Sequence, residues 1–251
     1  MPNPTLITFP PSLDSEFSRF LLTHYGVAYR EERHGLIFSS VVTLRHGRTP
    51  RFPLLYDESI QLDTIKKMVA NFEPLAVAER KLLAGADPTE AKRDWDLFHG
   101  KLGSASTVYA YYNLLPLRNV MEQVLSDGTP ASEEAAVRRA YPAFALLLRL
   151  LLRLTSARAQ SARSTIEDVM LLVDQRLADE RPYLAGDRFG LSDMAFAIAA
   201  APVVWPDQYG GSIPQYADLP PDLQSLISKM RQRPSGRHAL GIYRDLRQPA
   251  H

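Results

Sequence analysis

The chain has 251 residues, of which 45% are hydrophobic and 23% charged, so it has material for one large globular domain or two modest ones. Its formal net charge of +1 gives no electrostatic reason to expect nucleic acid or an anionic membrane surface as a partner. The absence of cysteine excludes disulfides, thiolate metal sites and a protein thiol nucleophile, so thiol chemistry would have to come from a bound small molecule.

The first part of the chain mixes short strands with helices, in the order β-α-β followed by β-β-α. The predicted strands are TLITF, VAYREE, FPLLY and IQL. The first predicted helix starts near Ser15 and stops at Gly26, and the second is DTIKKMVANF, which begins at an Asp-Thr cap. The polar stretch between the second and third strands contains HGRTP and is predicted to be a loop.

After Pro74 the sequence becomes almost purely helical, which predicts a domain boundary between residues 74 and 87. DPTE (87–90) and STIE (164–167) have the pattern of capping boxes that start helices. AFALLLRLLLRL (143–154) is too short to span a bilayer, and we expect a buried bundle helix whose arginines reach outward. Since no signal peptide is apparent at the N-terminus, we expect a soluble cytoplasmic protein.

Ser12 and Ser15 follow a Pro-Pro turn at the start of the first helix, in FPPSLDSEFSRFLL. One interpretation is helix capping, in which a serine oxygen accepts a backbone N–H of the first turn. The other interpretation is an anion site, because a helix N-terminus and a hydroxyl donor together stabilise a bound thiolate. The local sequence leaves both open.

The stretch PYLAGDRFGLSDMAFA (182–197) resembles the C-terminal signature of the cytosolic glutathione transferases, Tyr-Leu-x-Gly-Asp-x-x-Ser-x-Ala-Asp before a buried helix. Here Asp193 would take the N3 position of a capping box, with Gly190 where the family has Ser or Thr. The later stretch LPPDLQSLISKMRQRPS is similar to the family's last helix. This resemblance implies an α+β two-domain fold: a thioredoxin-like domain (1–76) and an all-helical domain (86–251).

RTPRFPLLYDESIQLDT resembles the glutathione-binding segment of the same family. The resemblance implies that Pro53 is a cis proline and that it presents the backbone of Phe52 to the cysteine moiety of glutathione. It also implies that Asp63 and Thr64 hold the γ-glutamyl amine and carboxylate. Glutathione is thus the expected co-substrate, and no metal is expected because the histidines show no metal-binding spacing.

By the same resemblance, Ser12 falls where the Ser/Cys-type bacterial-like transferases place their catalytic residue, with Ser15 as the alternative. Ser12 would donate a hydrogen bond to the glutathione thiolate, which then attacks an electrophilic carbon. Arg19 is a candidate for the glycine carboxylate of glutathione, although a surface ion pair is the preferred interpretation. Nothing at a suitable motif spacing suggests a hydrolase triad.

The expected activity is conjugation of glutathione to a small hydrophobic electrophile, in a pocket between the two domains. That pocket would be lined by some of the aromatic residues of the first long helices, the remainder being core: Trp95, Phe98, Tyr109, Tyr111 and Tyr112. The alternatives are a non-catalytic glutathione-binding module and a glutathione-dependent peroxidase; thiol transfer through a protein cysteine is excluded. The resemblance implies a homodimer, and neither nucleic acid nor a membrane is an expected partner.

Overall fold

A four-stranded mixed sheet forms the N-terminal part of the structure, a computed structural model that describes residues 3–47 and 49–247. The strands are β1 (Thr5–Thr8), β2 (Arg30–Arg33), β3 (Leu54–Tyr56) and β4 (Gln61–Leu62). Their order is β2-β1-β3-β4, with β1 parallel to β2 and antiparallel to β3, and β3 antiparallel to β4. Each strand overlaps a predicted segment, and the topology agrees with the thioredoxin-like layout that the sequence implies.

Three helices accompany the sheet: α1 (Leu13–Tyr25), α2 (Leu36–Gly47) and α3 (Ile65–Phe72). Helix α1 is the crossover that two parallel strands require, and its apolar face is fully buried. It ends at Gly26, whose φ of 72° lies in the left-handed region that glycine adopts at little cost. The predicted limits of α1 and α3 are therefore close to the observed ones.

The structure has a helix, α2, where the sequence predicted a loop between the second and third strands. Its inward residues are Ser39 and Thr43, which are fully buried and donate hydrogen bonds to carbonyl oxygens of the preceding turn at 3.0 and 3.1 Å. Its outward residues include Ile37, Val41 and Leu44, each 43–54% exposed. Because two polar side chains face inward and three apolar ones face outward, the sequence lacks the usual amphipathic pattern, and its interpretation as a loop was wrong.

The rest of the described chain is almost entirely helical. The helices are α4 (Pro88–Trp95), a π-helical segment (Asp96–Leu102), α5 (Gly103–Leu114), α6 (Arg118–Ser126), α7 (Ala131–Arg139), α8 (Tyr141–Leu151), α9 (Ser156–Arg176), α10 (Leu191–Val204), α11 (Pro221–Gln232) and α12 (Pro234–Leu246). Short 3-10 turns occupy Glu73–Leu75, Ala78–Arg80 and Tyr216–Asp218. The sheet with its three helices and the helical part that follows form the expected α+β architecture.

Helix α10 is the centre of this helical part and is buried along nearly its whole length. Asp193, at 0% exposure, accepts backbone N–H groups from Leu184 at 2.8 Å and Gly190 at 3.1 Å. It also lies 3.0 Å from Nε2 of His238 on α12. The capping role predicted for Asp193 is confirmed, and the residue joins α10 to the preceding loop and to α12.

Two helices of this part differ from their predictions. Helix α9 begins at Ser156, capped by the hydroxyl of Thr155, so STIE (164–167) lies inside the helix. The Ala/Arg-rich stretch before it forms the first turns, as expected from the high helix propensity of both residue types. In α8 the leucines at 146, 150 and 151 are 57–67% exposed, so this helix is only half buried.

Candidate functional site

Two cavities meet where the sheet contacts the helical part. The larger, about 510 Å³, lies between the start of α1 and helices α5, α8 and α10. The smaller, about 400 Å³, lies between the loop before β3, the start of α3 and the end of α4. Asp14, Phe52 and His99 line both cavities, so a ligand with two parts can occupy both and cross at these residues.

Ser12 lies on the larger cavity, at the N-terminus of α1. Its backbone is extended, and its Oγ accepts a long hydrogen bond of 3.5 Å from the N–H of Ser15. The side chain is half-buried, so its hydroxyl proton remains available to a ligand in the cavity. The structure shows the helix cap, and the position of Ser12 on the cavity is compatible with the anion-site interpretation as well, because one hydroxyl can both cap the helix and face an anion.

Ser15 lies behind this surface and lines neither cavity. It is fully buried, and its Oγ accepts the N–H of Phe9 at 3.1 Å. This bond satisfies a buried backbone donor at the end of β1, which would otherwise be costly to leave without a partner. The geometry therefore gives Ser15 a structural role and does not support it as the catalytic alternative to Ser12.

The peptide bond between Phe52 and Pro53 is cis, as the resemblance implies. Pro53 is buried directly before β3, while Phe52 is half-buried and lines both cavities. The Phe52 ring packs edge-on against Phe9, with the ring centroids 5.7 Å apart. The backbone around Phe52 is therefore fixed at the junction between the two cavities.

Asp63 and Thr64 line the smaller cavity at the start of α3. The Thr64 Oγ1 accepts the N–H of Lys67 at 3.2 Å and caps the helix, and Asp63 Oδ1 lies 2.6 Å from Nζ of Lys67. Arg51 and Lys66 line the same cavity. With Asp14, it thus offers two carboxylates, one hydroxyl and two cationic side chains, a set that suits a ligand carrying both an amine and carboxylates.

His99 and Asp14 form a contact that the sequence analysis missed. Nε2 of His99 lies 2.8 Å from Oδ1 of Asp14, and the imidazole stacks on Trp95 with ring centroids 4.2 Å apart. Asp14 is in the first turn of α1, and His99 is in the π-helical segment. The only sequence signal was a histidine next to Gly100 in a predicted helix, and nothing in it pointed to Asp14.

A buried ion cluster supports the first turn of α1 from behind. Arg19 is 1% exposed; its guanidinium contacts Glu16 at 3.5 Å and Glu31 at 2.8 Å, and donates to the carbonyl oxygen of Pro10 at 3.3 Å. Arg19 lines neither cavity, so it is neither a surface ion pair nor a ligand for glutathione as the sequence analysis considered. Its role is to hold the Pro-Pro turn that precedes Ser12.

The aromatic residues of the first long helices divide between cavities, core and surface. Tyr111 lines the larger cavity and Trp95 the smaller. Phe98 and Tyr109 are core residues at 0% and 5% exposure, whereas Tyr112 is 38% exposed. Tyr109 and Tyr112 therefore share no cavity face, and the aromatic contribution to the two cavities from this stretch is limited to two rings.

Neither a metal centre nor a membrane span is apparent in the part of the chain that the structure describes. Within residues 3–47 and 49–247, no group of three or more His, Asp or Glu side chains is arranged to hold a metal ion. Across the same residues, every helix falls short of the length and hydrophobicity needed to cross a bilayer.

Comparisons with known proteins connect this architecture to one group of solved structures. No protein-family model matches the chain, and no curated protein matches it significantly. A glutathione S-transferase from Sinorhizobium meliloti is 23% identical and superposes with a TM-score of 0.55, covering 98% of this chain and 99% of its own. A glutathione S-transferase from Rhodospirillum rubrum is 18% identical, with a TM-score of 0.56 and coverage of 97% and 99%.

A third similar structure is a glutathione S-transferase from Methylobacterium radiotolerans in complex with glutathione sulfonate. It is 17% identical, with a TM-score of 0.54 and coverage of 100% of this chain and 97% of that one. At these identities the likeness establishes architecture over the whole chain. The protein described here therefore has the fold of the glutathione transferases, a thioredoxin-like sheet layer followed by a helical domain.

Proposed function

We propose that the protein is a glutathione transferase that activates the thiol of glutathione for attack on an apolar electrophile. One observation carries the proposal: Ser12, at the N-terminus of α1, lines a cavity that meets the cavity of Asp63 and Thr64 at Phe52. The proposed site for the tripeptide thus adjoins a proposed site for a second, apolar reactant, and one hydroxyl donor lies in the wall of the second site. In the proposal, residues 1–76 hold glutathione and residues 86–251 complete the apolar site.

The smaller cavity is the proposed glutathione site. Asp63 would accept hydrogen bonds from the γ-glutamyl ammonium group, and the Thr64 hydroxyl would donate one to the γ-glutamyl carboxylate. The backbone of Phe52, ahead of the cis proline, would pair with the cysteinyl part of the tripeptide. The nearby cations Arg51 and Lys66 support the binding of a ligand that carries two carboxylates.

Ser12 is the residue that we propose acts on the sulfur. A free thiol has a pKa of about 8.5, so little thiolate exists at neutral pH without help from the protein. A hydroxyl donor and the positive end of α1 both favour the charged sulfur, as they do for protein thiols at helix N-termini. Ser12 is therefore a hydrogen-bond donor in this proposal and forms no covalent intermediate.

The larger cavity is the proposed site for the electrophile. Its wall is largely apolar and includes Leu13, Leu36, Val108, Leu148 and Ile198. A narrow apolar side cavity of about 60 Å³ adjoins it at Leu13 and Tyr111. The lining favours a reactant that is itself apolar.

The test is an ultraviolet titration of the thiolate of bound glutathione, comparing the wild type with Ser12→Ala. A charge-assisted hydrogen bond is worth about 1.5–3 kcal/mol and water replaces part of it, so the apparent thiol pKa should rise by about one unit. If glutathione does not bind, the proposal fails. If it binds and forms no thiolate in the wild type, the protein is a non-catalytic glutathione-binding module.

Two parts of the proposal need separate measurements. Turnover of a hydroperoxide, with no conjugation of any apolar electrophile, would assign the thiolate to peroxidase chemistry instead.

The resemblance also leads us to propose a homodimer, and the exposed Leu75 and Val77, at 78% and 60%, are compatible with an apolar contact between copies. Light scattering of the purified protein would give the mass of the assembly directly.

A further inference from the structure

The proposed function leaves the destination of the thiol proton unassigned. Ser12 can donate a hydrogen bond to a thiolate, and the dipole of α1 can stabilise its charge, but neither one accepts the proton that the sulfur loses. Either solvent takes this proton, or a side chain at the junction of the two cavities, beside the sulfur, accepts it. The inference below rests on the proposed function and concerns that acceptor.

His99 lies at this junction. It lines both cavities, and it shares the wall of the larger one with Ser12. Its side chain is 29% exposed, so the imidazole is open to a ligand and to solvent. Of the other two residues that line both cavities, Phe52 cannot accept a proton and Asp14 is already in contact with His99.

The local backbone and the neighbouring rings fix the position of the imidazole. The π-helical segment Asp96–Leu102 interrupts the helix at this point, and such segments often occur at functional sites because the extra residue redirects side chains. Stacking on Trp95 at 4.2 Å and an edge contact with Phe17 at 6.0 Å hold the ring on two sides. His99 is thus oriented before any ligand binds.

Asp14 determines which nitrogen of His99 can accept a proton. Its Oδ1 lies 2.8 Å from Nε2, so in the neutral imidazole we assign the hydrogen to Nε2. The lone pair is then on Nδ1, which has no hydrogen-bond partner among residues 3–47 and 49–247. A carboxylate that holds one imidazole nitrogen while the other stays free is the arrangement of a histidine base.

Other charged groups surround the pair at greater distance. They are Lys66 on α3, whose Nζ lies 5.6 Å from the Trp95 ring, Arg158 on α9 at the wall of the larger cavity, and the Lys92–Asp96 ion pair beside the π-helical segment. Of the charged groups in the described part of the chain, Asp14 is the one within hydrogen-bonding distance of His99.

We propose that His99, oriented by Asp14, accepts the proton of the glutathione thiol and keeps it beside the thiolate as an imidazolium. The S–H bond breaks, its electron pair stays on sulfur and the proton bonds to Nδ1. In a substitution, the sulfur then forms a bond to the electrophilic carbon, the leaving group departs with the electron pair of its broken bond to that carbon, and the imidazolium gives its proton to the leaving group or to solvent. In an addition reaction, the electron pair of the attacked π bond takes a proton back from the imidazolium.

A simple clamp between α1 and the helical part is the competing explanation for this contact. The chain contains a matched example of such a clamp: Nδ1 of His34 lies 2.7 Å from Oε1 of Glu133 on α7. His34 joins the sheet layer to the helical part but lines neither cavity. His34→Gln is therefore a control for the loss of a histidine–carboxylate contact between the two parts.

The decisive measurement is the number of protons released to the buffer for each thiolate formed when glutathione binds near neutral pH. Thiolate is measured by ultraviolet absorbance, and proton release by calorimetry in buffers of different ionisation enthalpy. We expect fewer protons than thiolates in the wild type and in His34→Gln. In His99→Gln, we expect the thiolate fraction at neutral pH to fall about tenfold, with one proton released for each thiolate that remains.

The outcomes separate this inference from the proposed function. One proton released per thiolate in the wild type would overturn the role of His99 and leave the transferase proposal standing. Failure of glutathione to bind would overturn both. Because the proton count is made on the unmodified protein, it remains decisive even if His99→Gln does not fold.

Discussion

Oε1 of Glu16 lies 3.0 Å from Nε of Arg247, and the two side chains are 0% and 3% exposed. The contact joins the first helix to the end of the described chain, next to the turn that carries Ser12. The second oxygen, Oε2, accepts the N–H of Gly210 at 3.0 Å and also lies 3.5 Å from Arg19. One buried carboxylate therefore holds two arginines and one backbone amide.

Removing this carboxylate should be strongly destabilising. Glu16→Gln removes a negative charge that faces two buried arginines. Removing one partner of a buried ion pair costs about 3–5 kcal/mol of unfolding free energy. Urea denaturation of the variant and the wild type measures the difference. Glu32→Gln is the control: its partner Arg30 is 67% exposed, and we expect a change of at most about 1 kcal/mol. Equal losses in the two variants would contradict the role of the buried cluster.

Glu31 should make stability depend on pH. Burial by itself raises the pKa of Glu31, but the charges of Arg19 and Arg33 and the hydrogen bond from Thr8 outweigh it, so the pKa is below its ordinary value of 4.5. A carboxyl with a lower pKa in the folded state stabilises the fold above its unfolded pKa. That contribution disappears as the pH falls through the folded value.

The expected result is a fall in unfolding free energy as the pH drops below about 4.5, part of which Glu31→Gln removes. The measurement is urea denaturation of both proteins at a series of pH values between neutrality and the acid transition. Since every other carboxyl is common to the two proteins, the difference between their curves isolates Glu31. Parallel curves would show that Glu31 contributes nothing to the acid sensitivity.

Ser15→Ala should mainly lower the free energy of unfolding, whereas Ser12→Ala should mainly raise the thiol pKa of bound glutathione. Loss of the Ser15 hydroxyl leaves the buried N–H of Phe9 without its acceptor at 3.1 Å, which costs about 1–3 kcal/mol of unfolding free energy. The thiol pKa of bound glutathione should stay unchanged, because Ser15 lines neither cavity. For Ser12→Ala we expect the shift in thiol pKa, and a cap loss of only about 1 kcal/mol or less because its hydrogen bond is long. A change in the thiol pKa in Ser15→Ala would contradict the choice of Ser12 over Ser15 as the residue that acts on the sulfur.

The elements that the sequence predicted well are those in which local signals and tertiary packing agree. Helix α1 has a cap at Ser12, an inward apolar face and a glycine stop, so each signal points to the same helix. Helix α2 was missed because Ser39 and Thr43 face inward while apolar residues face solvent. The start of α9 was placed too late because STIE has a capping pattern that the longer helix overrides.

The same distinction between local and long-range signals applies to the candidate functional site. Phe52, Asp63 and Thr64 were identified from motifs whose residues are close together in the chain, and the structure places all three on one cavity. His99 and Asp14 are 85 positions apart, and Glu16 and Arg247 are 231 apart. Only the packing of helices brings such pairs together, so no local pattern in a single sequence could have predicted either contact.

Asp63→Asn should weaken glutathione binding without unfolding the protein. The carboxylate is the proposed partner of the γ-glutamyl ammonium group, and a hydrogen bond between charged groups is worth about 1.5–3 kcal/mol, so we expect affinity to fall about tenfold or more. Its contact with Lys67 at 2.6 Å adds little to stability, because Lys67 is 57% exposed and such pairs contribute at most about 1 kcal/mol. Calorimetric titration with glutathione measures the affinity, and urea denaturation the stability.

Asp245→Asn is the control for this last prediction, because Asp245 also pairs with a cation, Arg244, at 2.7 Å but lies on α12 and lines neither cavity. It should leave glutathione affinity unchanged. A glutathione derivative that lacks the γ-glutamyl amine sharpens the test, since it should bind the wild type and Asp63→Asn almost equally. If Asp63→Asn weakens both ligands to the same extent, the carboxylate acts on the cavity as a whole and does not bind the ammonium group.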